Sequence, residues 1–210
     1  IVYIPNGYNS EKFYPIDSIE CRNELNLSKD RKIILNVGNL YSEVKGHYYL
    51  IKAMKQVVRE RKDVLCVIVG AGKLRTELEH QIRSLGLEDH VILVGGKPHE
   101  EIPLWMNACD LFVLPSLNEG NPTVMFEALG CGKPFVGTKV GGIPEIINSD
   151  DYGLLVEPAD PEDLAEKIMM ALDREWDSEK ILTYAEQFTW ENIAEEIVDV
   201  YEKVLGARLE

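Results

Sequence analysis

Short, nearly continuous apolar runs recur along the chain, separated by stretches whose apolar residues return every three or four positions. The runs KIILNVG (32–38), VLCVIVG (64–70), HVILVGG (90–96), DLFVLPS (110–116), KPFVGT (133–138) and YGLLVEP (152–158) are rich in β-branched residues. They lack the polar alternation of a half-exposed strand, so they predict strands of a parallel sheet covered on both faces. Between them HYYLIKAMKQVVRERK, KLRTELEHQIRSLG, EEIPLWMNAC, PTVMFEALGCG and GIPEIIN carry helical spacing, and three more helices are predicted over 161–174, 179–187 and 190–205. Strand and helix alternate. That order predicts an α/β fold: a doubly wound, mostly parallel six-stranded Rossmann-like sheet, helices on both faces, and extra C-terminal helices. No repeat, low-complexity tract or second-domain linker interrupts it, so one domain is expected. Trp190 and Tyr201, on the last predicted helix, are expected to pack against that domain.

In such sheets ligands sit beyond the carboxyl ends of the strands. The loops at those ends read VGNLYSEVKG, VGAGKL, VGGKPHEE and PSLNEGNPT, each rich in Gly, Asn or Lys. Their glycines allow a close backbone approach to a ligand, or serve tight strand-to-helix turns.

Composition narrows the partners. A formal net charge of -14 over 210 residues argues against nucleic acid or an anionic membrane surface as the main partner. An anionic ligand would need local features that overcome this field. Cys21, Cys66, Cys109 and Cys131 show no CxxC spacing, and Cys66 and Cys109 lie in apolar runs, which reads as reduced core thiols in a reducing cytoplasm. No signal peptide or membrane-length apolar run is seen. The chain begins without Met inside IVYIPNG, as expected of a piece of something longer, and the terminal Leu209-Glu210 is set aside as foreign to the fold.

The candidate chemistry centres on SLNEGNPTVMFE (116–127). Asn121 is expected at a helix N-cap with Pro122 at the first helical position. The N–H groups of Thr123, Val124 and Met125 would then point out of the helix end, where an anion such as phosphate is favoured. Glu119 would be repelled by that phosphate, so it should face vicinal hydroxyls of a neutral sugar, which a carboxylate accepts bidentately. Glu127, about one and a half turns into the helix, suits another diol such as a ribose. The bland alternative is two acids that merely favour a positive helix end. Lys45 in SEVKG, flanked by Gly46, can reach a phosphate at that end; otherwise it is a solvated lysine. No Asp-x-Asp occurs and His47, His80, His90 and His99 show no trusted ligand spacing, so no metal site is expected. His99 reads as a loop or capping residue rather than a general base.

Taken in order, VGNLYSEVKG, VGAG, GGKPHEE, PSLNEGNPTVMFEALGCGKPFV, VGGIPEII and YGLLVEP resemble the donor-binding domain of family 4 glycosyltransferases of the GT-B type. IPNGYNSEKFYP is similar to that family's interdomain linker and FTWENIAEEIVDVYEKVL to its last helix, which crosses back toward the other domain and would leave apolar surface exposed here. The resemblance implies a linker-like segment over 1–20 and a nucleotide-sugar-binding domain over 21–208, the N-terminal acceptor domain being absent. It implies transfer of a hexosyl group, with retention, from a UDP- or GDP-linked hexose to a hydroxyl of an acceptor glycan or lipid-linked sugar, in polysaccharide or glycoconjugate biosynthesis. No cofactor or metal would be required. The full-length protein would be cytoplasmic or peripheral at the inner face of the membrane, and the isolated domain inactive.

The resemblance also implies roles. Glu119 matches the glutamate that contacts the donor sugar, and Glu127 the one that holds the ribose. The segment from Gly120 through the amides of Asn121, Thr123 and Val124 matches the cradle of the diphosphate; Pro122 has no N–H to give. Lys45 matches the lysine that stabilises the departing diphosphate. Gly38, Gly70, Lys97 and Pro98 match loops lining the nucleotide, whose base is read chiefly by backbone groups. Asn39 stands where the family commonly has arginine, which removes a bidentate cation from the phosphate clamp. Either Lys45 works nearly alone, or another cation comes from elsewhere, or catalysis is impaired. A non-catalytic sugar-nucleotide-binding module, or a related GT-B enzyme such as a sugar-nucleotide epimerase, is the alternative. A dehydrogenase is disfavoured because GNLYSEVKG, not G-x-G-x-x-G, follows the first strand.

Overall fold

The structure, a computed structural model, describes residues 2–206. Residue 208, the expected domain end, and Leu209-Glu210 lie outside the described residues. All six predicted strands form: β1 (Lys32–Val37), β2 (Val64–Val69), β3 (Val91–Gly95), β4 (Leu111–Leu114), β5 (Phe135–Thr138) and β6 (Gly153–Val156). They pair in parallel in the order β3-β2-β1-β4-β5-β6. The described helices are α1 (Ser18–Glu24), α2 (His47–Glu60), α3 (Arg75–Ser84), α4 (Ile102–Ala108), α5 (Thr123–Gly130), α6 (Ile143–Ile146), α7 (Pro161–Asp173), α8 (Ser178–Glu186) and α9 (Trp190–Gly206).

The continuous apolar runs have the expected cause. Along β1, Ile33 and Leu35 enter the core on one face of the sheet, while Ile34 enters the core on the other. One core contains Met106, Phe112, Phe126 and Phe135; the other contains Leu50 and Met54 of α2 and Ile168 of α7. Each such side chain, fully buried, is worth about 1.5–3 kcal/mol relative to exposure.

The topology opens a crevice. From β1 the chain winds outward through β2 and β3, then returns to the other side of β1 as β4. Here β1 and β4 pair only at Ile34↔Leu111 and Leu35↔Phe112. One residue on, the side chain of buried Asn36 donates to the Val113 carbonyl at 2.8 Å, bridging strands that have begun to part.

Two expectations about the chain ends need revision. The helix α1 was not apparent in the apolar pattern, and it straddles the boundary expected at residue 20. Ahead of it, Tyr8 and Phe13 are core residues. Tyr8 donates its N–H to the Phe188 carbonyl at 2.9 Å, and its carbonyl accepts from Trp190 N at 3.0 Å. At the other end Tyr201 does not pack down, being 64% exposed, and of α9 only Ile193 is buried. Trp190 is 45% exposed but lays its ring against Gly7, where a Cβ would stand 2.9 Å from Trp190 Cε3. The helix is tied to the domain through its first turn and leaves it thereafter, so Ile197, Val198, Val204 and Leu205 are exposed as well. No helix of the described residues is long and apolar enough to cross a membrane. All four cysteines are buried and unpaired.

Candidate functional site

A cleft of about 520 Å³ lies over the carboxyl ends of β1, β2 and β4. It brings together Gly38, Asn39, Lys45, Gly70 and Lys97 with Glu119, Thr123 and Val124. Pro98, Gly120, Asn121 and Glu127 are not among its lining residues, whereas Tyr41, Ala71, Gly96 and Ile102 are. A second cavity, also about 520 Å³, lies between α2 and α3 and holds none of the expected site residues.

The loops that form the cleft are locked to one another. Gly46 has φ +71°, and a Cβ there would stand 1.8 Å from the Pro115 carbonyl oxygen, so the turn after Lys45 presses directly on the exit of β4. Leu117 N donates to the Val44 carbonyl at 2.7 Å across the same junction. A Cβ on Gly70 would meet the Gly38 carbonyl oxygen at 1.9 Å, so this glycine serves the packing of two loops. Asn39 turns its Oδ1 to the N–H of Tyr41 at 3.3 Å.

Lys45 and Glu119, expected to address different parts of a ligand, meet each other. Lys45 Nζ donates to Glu119 Oε1 at 2.8 Å and Oε2 at 3.1 Å. Ser116 Oγ, three residues before Glu119, donates to Oε1 at 2.6 Å. The Glu119 side chain is only 8% exposed and that of Lys45 27%, so the pair is partly withdrawn from water. Two residues after Lys45 lies buried His47, to which sequence reasoning assigned nothing and whose ring is near Gly38. Neither of its ring nitrogens has a partner among the described residues. Burial and then the charge of Lys45 lower its pKa to about 4, so it is neutral near pH 7.

The helix start differs by one residue from expectation. Pro122 is extended (φ -72°, ψ 116°) and occupies the N-cap, and Thr123 is the first helical residue. Asn121 therefore does not cap α5. Its side chain and carbonyl instead hold the N-terminal segment: Asn6 Nδ2 donates to the Asn121 carbonyl at 2.6 Å, and Asn121 Nδ2 donates to the Tyr3 hydroxyl. Met125 N–H is spent on the Pro122 carbonyl at 3.1 Å. Thr123 and Val124, which line the cleft, have no backbone acceptor among the described residues. Of this segment's amides without a backbone acceptor, these two line the cleft and can meet an anion there.

Glu127 is buried one turn further on, where its Oε1 lies 2.8 Å from His99 Nε2; a carboxylate there is the acceptor and the Nε2–H imidazole the donor. His99 is thus neither a cap nor a free loop residue. Burial raises the Glu127 pKa, and the hydrogen bond and charge of His99 act against that rise. Lys97 lies with its Nζ 5.5 Å from the Trp105 ring centre and 3.8 Å from Glu101 Oε2. Lys45 and Lys97 are the cations lining the cleft among the described residues.

Residues 17–188 match the family model described as glycosyl transferases group 1. The chain belongs to the glycosyl transferases group 1 family. A relative, an uncharacterized glycosyltransferase of Methanocaldococcus jannaschii, is 34% identical over 190 residues, which is 88% of this chain and 48% of that protein. The chain spans about half the length of the curated relatives it matches. Among solved structures, Anabaena HepE in complex with UDP is 28% identical with a TM-score of 0.83, covering 95% of this chain and 57% of that one. The C-terminal domain of a group 1 protein (LpcC) of Francisella tularensis is 26% identical with a TM-score of 0.71, covering 91% of this chain and 98% of that one. The expected GT-B C-terminal domain is therefore the right assignment for this group 1 chain, and its sheet is Rossmann-like as predicted.

Proposed function

We propose that this chain is the donor-binding domain of a glycosyltransferase that takes a nucleoside-diphosphate-linked hexose and transfers the hexosyl group, with retention, to a hydroxyl acceptor. The observation that carries the reading is the cleft at the β1/β4 crevice, where the Lys45–Glu119 pair faces the unspent amides of Thr123 and Val124. Those amides and Lys45 suit a diphosphate, and they supply in fixed positions the charge stabilisation that a departing diphosphate needs. Glu119, once Lys45 turns to the phosphates, is left to accept from sugar hydroxyls and to orient the donor, a proximity role. Glu127 takes the ribose. Lys97 supplies the second cation that Asn39 does not. HepE structures hold UDP and UDP-glucose, which supports a nucleotide sugar as the class of ligand. No metal is needed in this scheme, and the acceptor site belongs to the half of the protein that the relatives have in addition. Location in the cytoplasm or at the inner membrane face is part of the same proposal.

The test is calorimetric titration of the chain with UDP, GDP and ADP, then turnover of the matching nucleotide sugars by the longer protein. One nucleotide should bind selectively, and Lys45→Met should weaken it on the order of 10-fold, the worth of one charge-assisted contact. Absence of binding to all three in both proteins would sink the reading. Asn39, with its side chain spent on its own loop, favours a second reading: a module that binds sugar nucleotides without turning them over. Binding with no transfer in the longer protein would select it.

A further inference from the structure

Glu127 and His99 form a unit whose purpose the fold alone does not explain. Glu127 sits on α5, three residues after Val124, and His99 lies two residues after Lys97; Val124 and Lys97 both line the cleft. A carboxylate removed from water favours its neutral form, which would donate rather than accept. Here Oε1 lies 2.8 Å from His99 Nε2, which donates to it when the imidazole carries its proton on Nε2, while Oε2 has no partner among the described residues. Oε2 is also absent from the fully enclosed orphan atoms, so it keeps some access to the outside. The His99 ring is held from the other side by buried Phe13, ring centres 5.3 Å apart at 55°. Its remaining edge is open, the side chain being 56% exposed.

The surrounding charges do not replace His99. On its own turn, Glu100 is met by Lys12 at 3.9 Å and Glu101 by Lys97 at 3.8 Å. Phe13 brings no charge. On the Glu127 side, Cys131 is a buried thiol whose pKa burial drives up, with Lys133 acting against that rise.

Resting on the donor-domain reading above, we propose that His99 is the positioning residue for Glu127. It donates to Oε1, keeps the buried carboxylate in its accepting form, and leaves Oε2 with both lone pairs for the ribose hydroxyls of the ligand.

Three variants of the 210-residue chain test this: His99→Leu, His99→Gln and Glu127→Gln. The Glu127 carboxyl carbon is followed by ¹³C NMR against pH without ligand, and UDP, GDP and ADP are titrated calorimetrically at several pH values. In His99→Leu the Glu127 midpoint should move upward, and the binding nucleotide should weaken on the order of 10-fold at pH 7, with a loss that grows as pH falls. His99→Gln, whose amide can still donate to Oε1, should stay within about 3-fold of the unaltered chain at pH 7. A merely structural role would weaken both variants alike and leave the midpoint in place. An unmoved midpoint in His99→Leu, or equal losses in Leu and Gln, overturns the proposal. If the midpoint moves but Glu127→Gln binds nucleotide as well as the unaltered chain, the pair stands and the assignment of Glu127 to the ligand is what fails.

Discussion

Replacing Glu119 by Gln should make the domain bind a nucleoside diphosphate more tightly, although Glu119 belongs to the proposed site. In the ligand-free structure Glu119 holds Lys45 at 2.8 and 3.1 Å, so the diphosphate must first draw Lys45 away from a carboxylate. At 2.8 Å and an effective dielectric constant of about 20, the bare attraction is about 6 kcal/mol. Desolvation and the partial exposure of Lys45 cancel most of it, leaving a net value on the order of 1 kcal/mol. Removing the competing charge should therefore strengthen UDP or its congener about 5-fold by calorimetry. The same variant should lose turnover of the sugar nucleotide in the longer protein, because the hexose then lacks its acceptor of hydroxyls. Lys45→Met should act in the opposite sense and also on stability. It strands a side chain 8% exposed with Ser116 as its remaining partner, a loss of about 2 kcal/mol, or roughly 4–8 °C in Tm for a chain of this size. Glu119→Gln binding UDP no better than the unaltered chain would refute this account of a withheld lysine.

Three further outcomes are expected. Lys97→Met should weaken nucleotide binding on the order of 10-fold, and adding Asn39→Arg should restore most of it, because both positions line one cleft; failure of the restoration would separate Lys97 from the phosphates. Gly46→Ala should cost on the order of 3 kcal/mol in urea unfolding, since φ is +71° and the new Cβ would meet the Pro115 carbonyl. His47 should make stability fall on acidification: its folded pKa of about 4 lies below the ordinary value near 6.5, so the unfolded chain takes up the proton first. Its contribution is whole above about pH 6.5 and lost as pH falls toward about 4, a change of roughly 3 kcal/mol that His47→Leu should remove from the urea midpoint measured at pH 7 and 4.5.

Much of the fold was legible because most strands are buried on both faces, β3 at the sheet edge least so, and a run such as VLCVIV, buried at all six positions, admits few other readings. The crevice followed from strand–helix alternation. What escaped was held by distant partners. The helix α1 has Cys21 as its buried apolar residue and is anchored by Arg22, which reaches Asp110 at 2.7 Å, 88 positions away. Asn121 looked like a cap because Asn-Pro suits one, but it is claimed by Asn6 and Tyr3 from the start of the chain. The Lys45–Glu119 and His99–Glu127 contacts join residues 74 and 28 apart, and no local spacing announces them. Tyr201 was misplaced because an amphipathic stripe shows that a face is apolar, not that the same domain covers it.

The Tyr8 contacts give the chain the character of a ring. Its backbone takes one hydrogen bond from Trp190 and gives one to Phe188, and its ring lies against Gly130 at the end of α5. The segment around Tyr8, the last helix and the helix that bears the candidate site are thereby knotted at one point. Cutting the chain open at an exposed turn such as Glu88-Asp89 leaves that knot intact. Trimming the first thirteen residues unties it, removing two core side chains and the backbone bond to Trp190, and leaves the start of α9 held by Ile193 and Asn192. A shortened version begun at residue 21, where the sequence alone suggests the domain starts, would be a different and looser object.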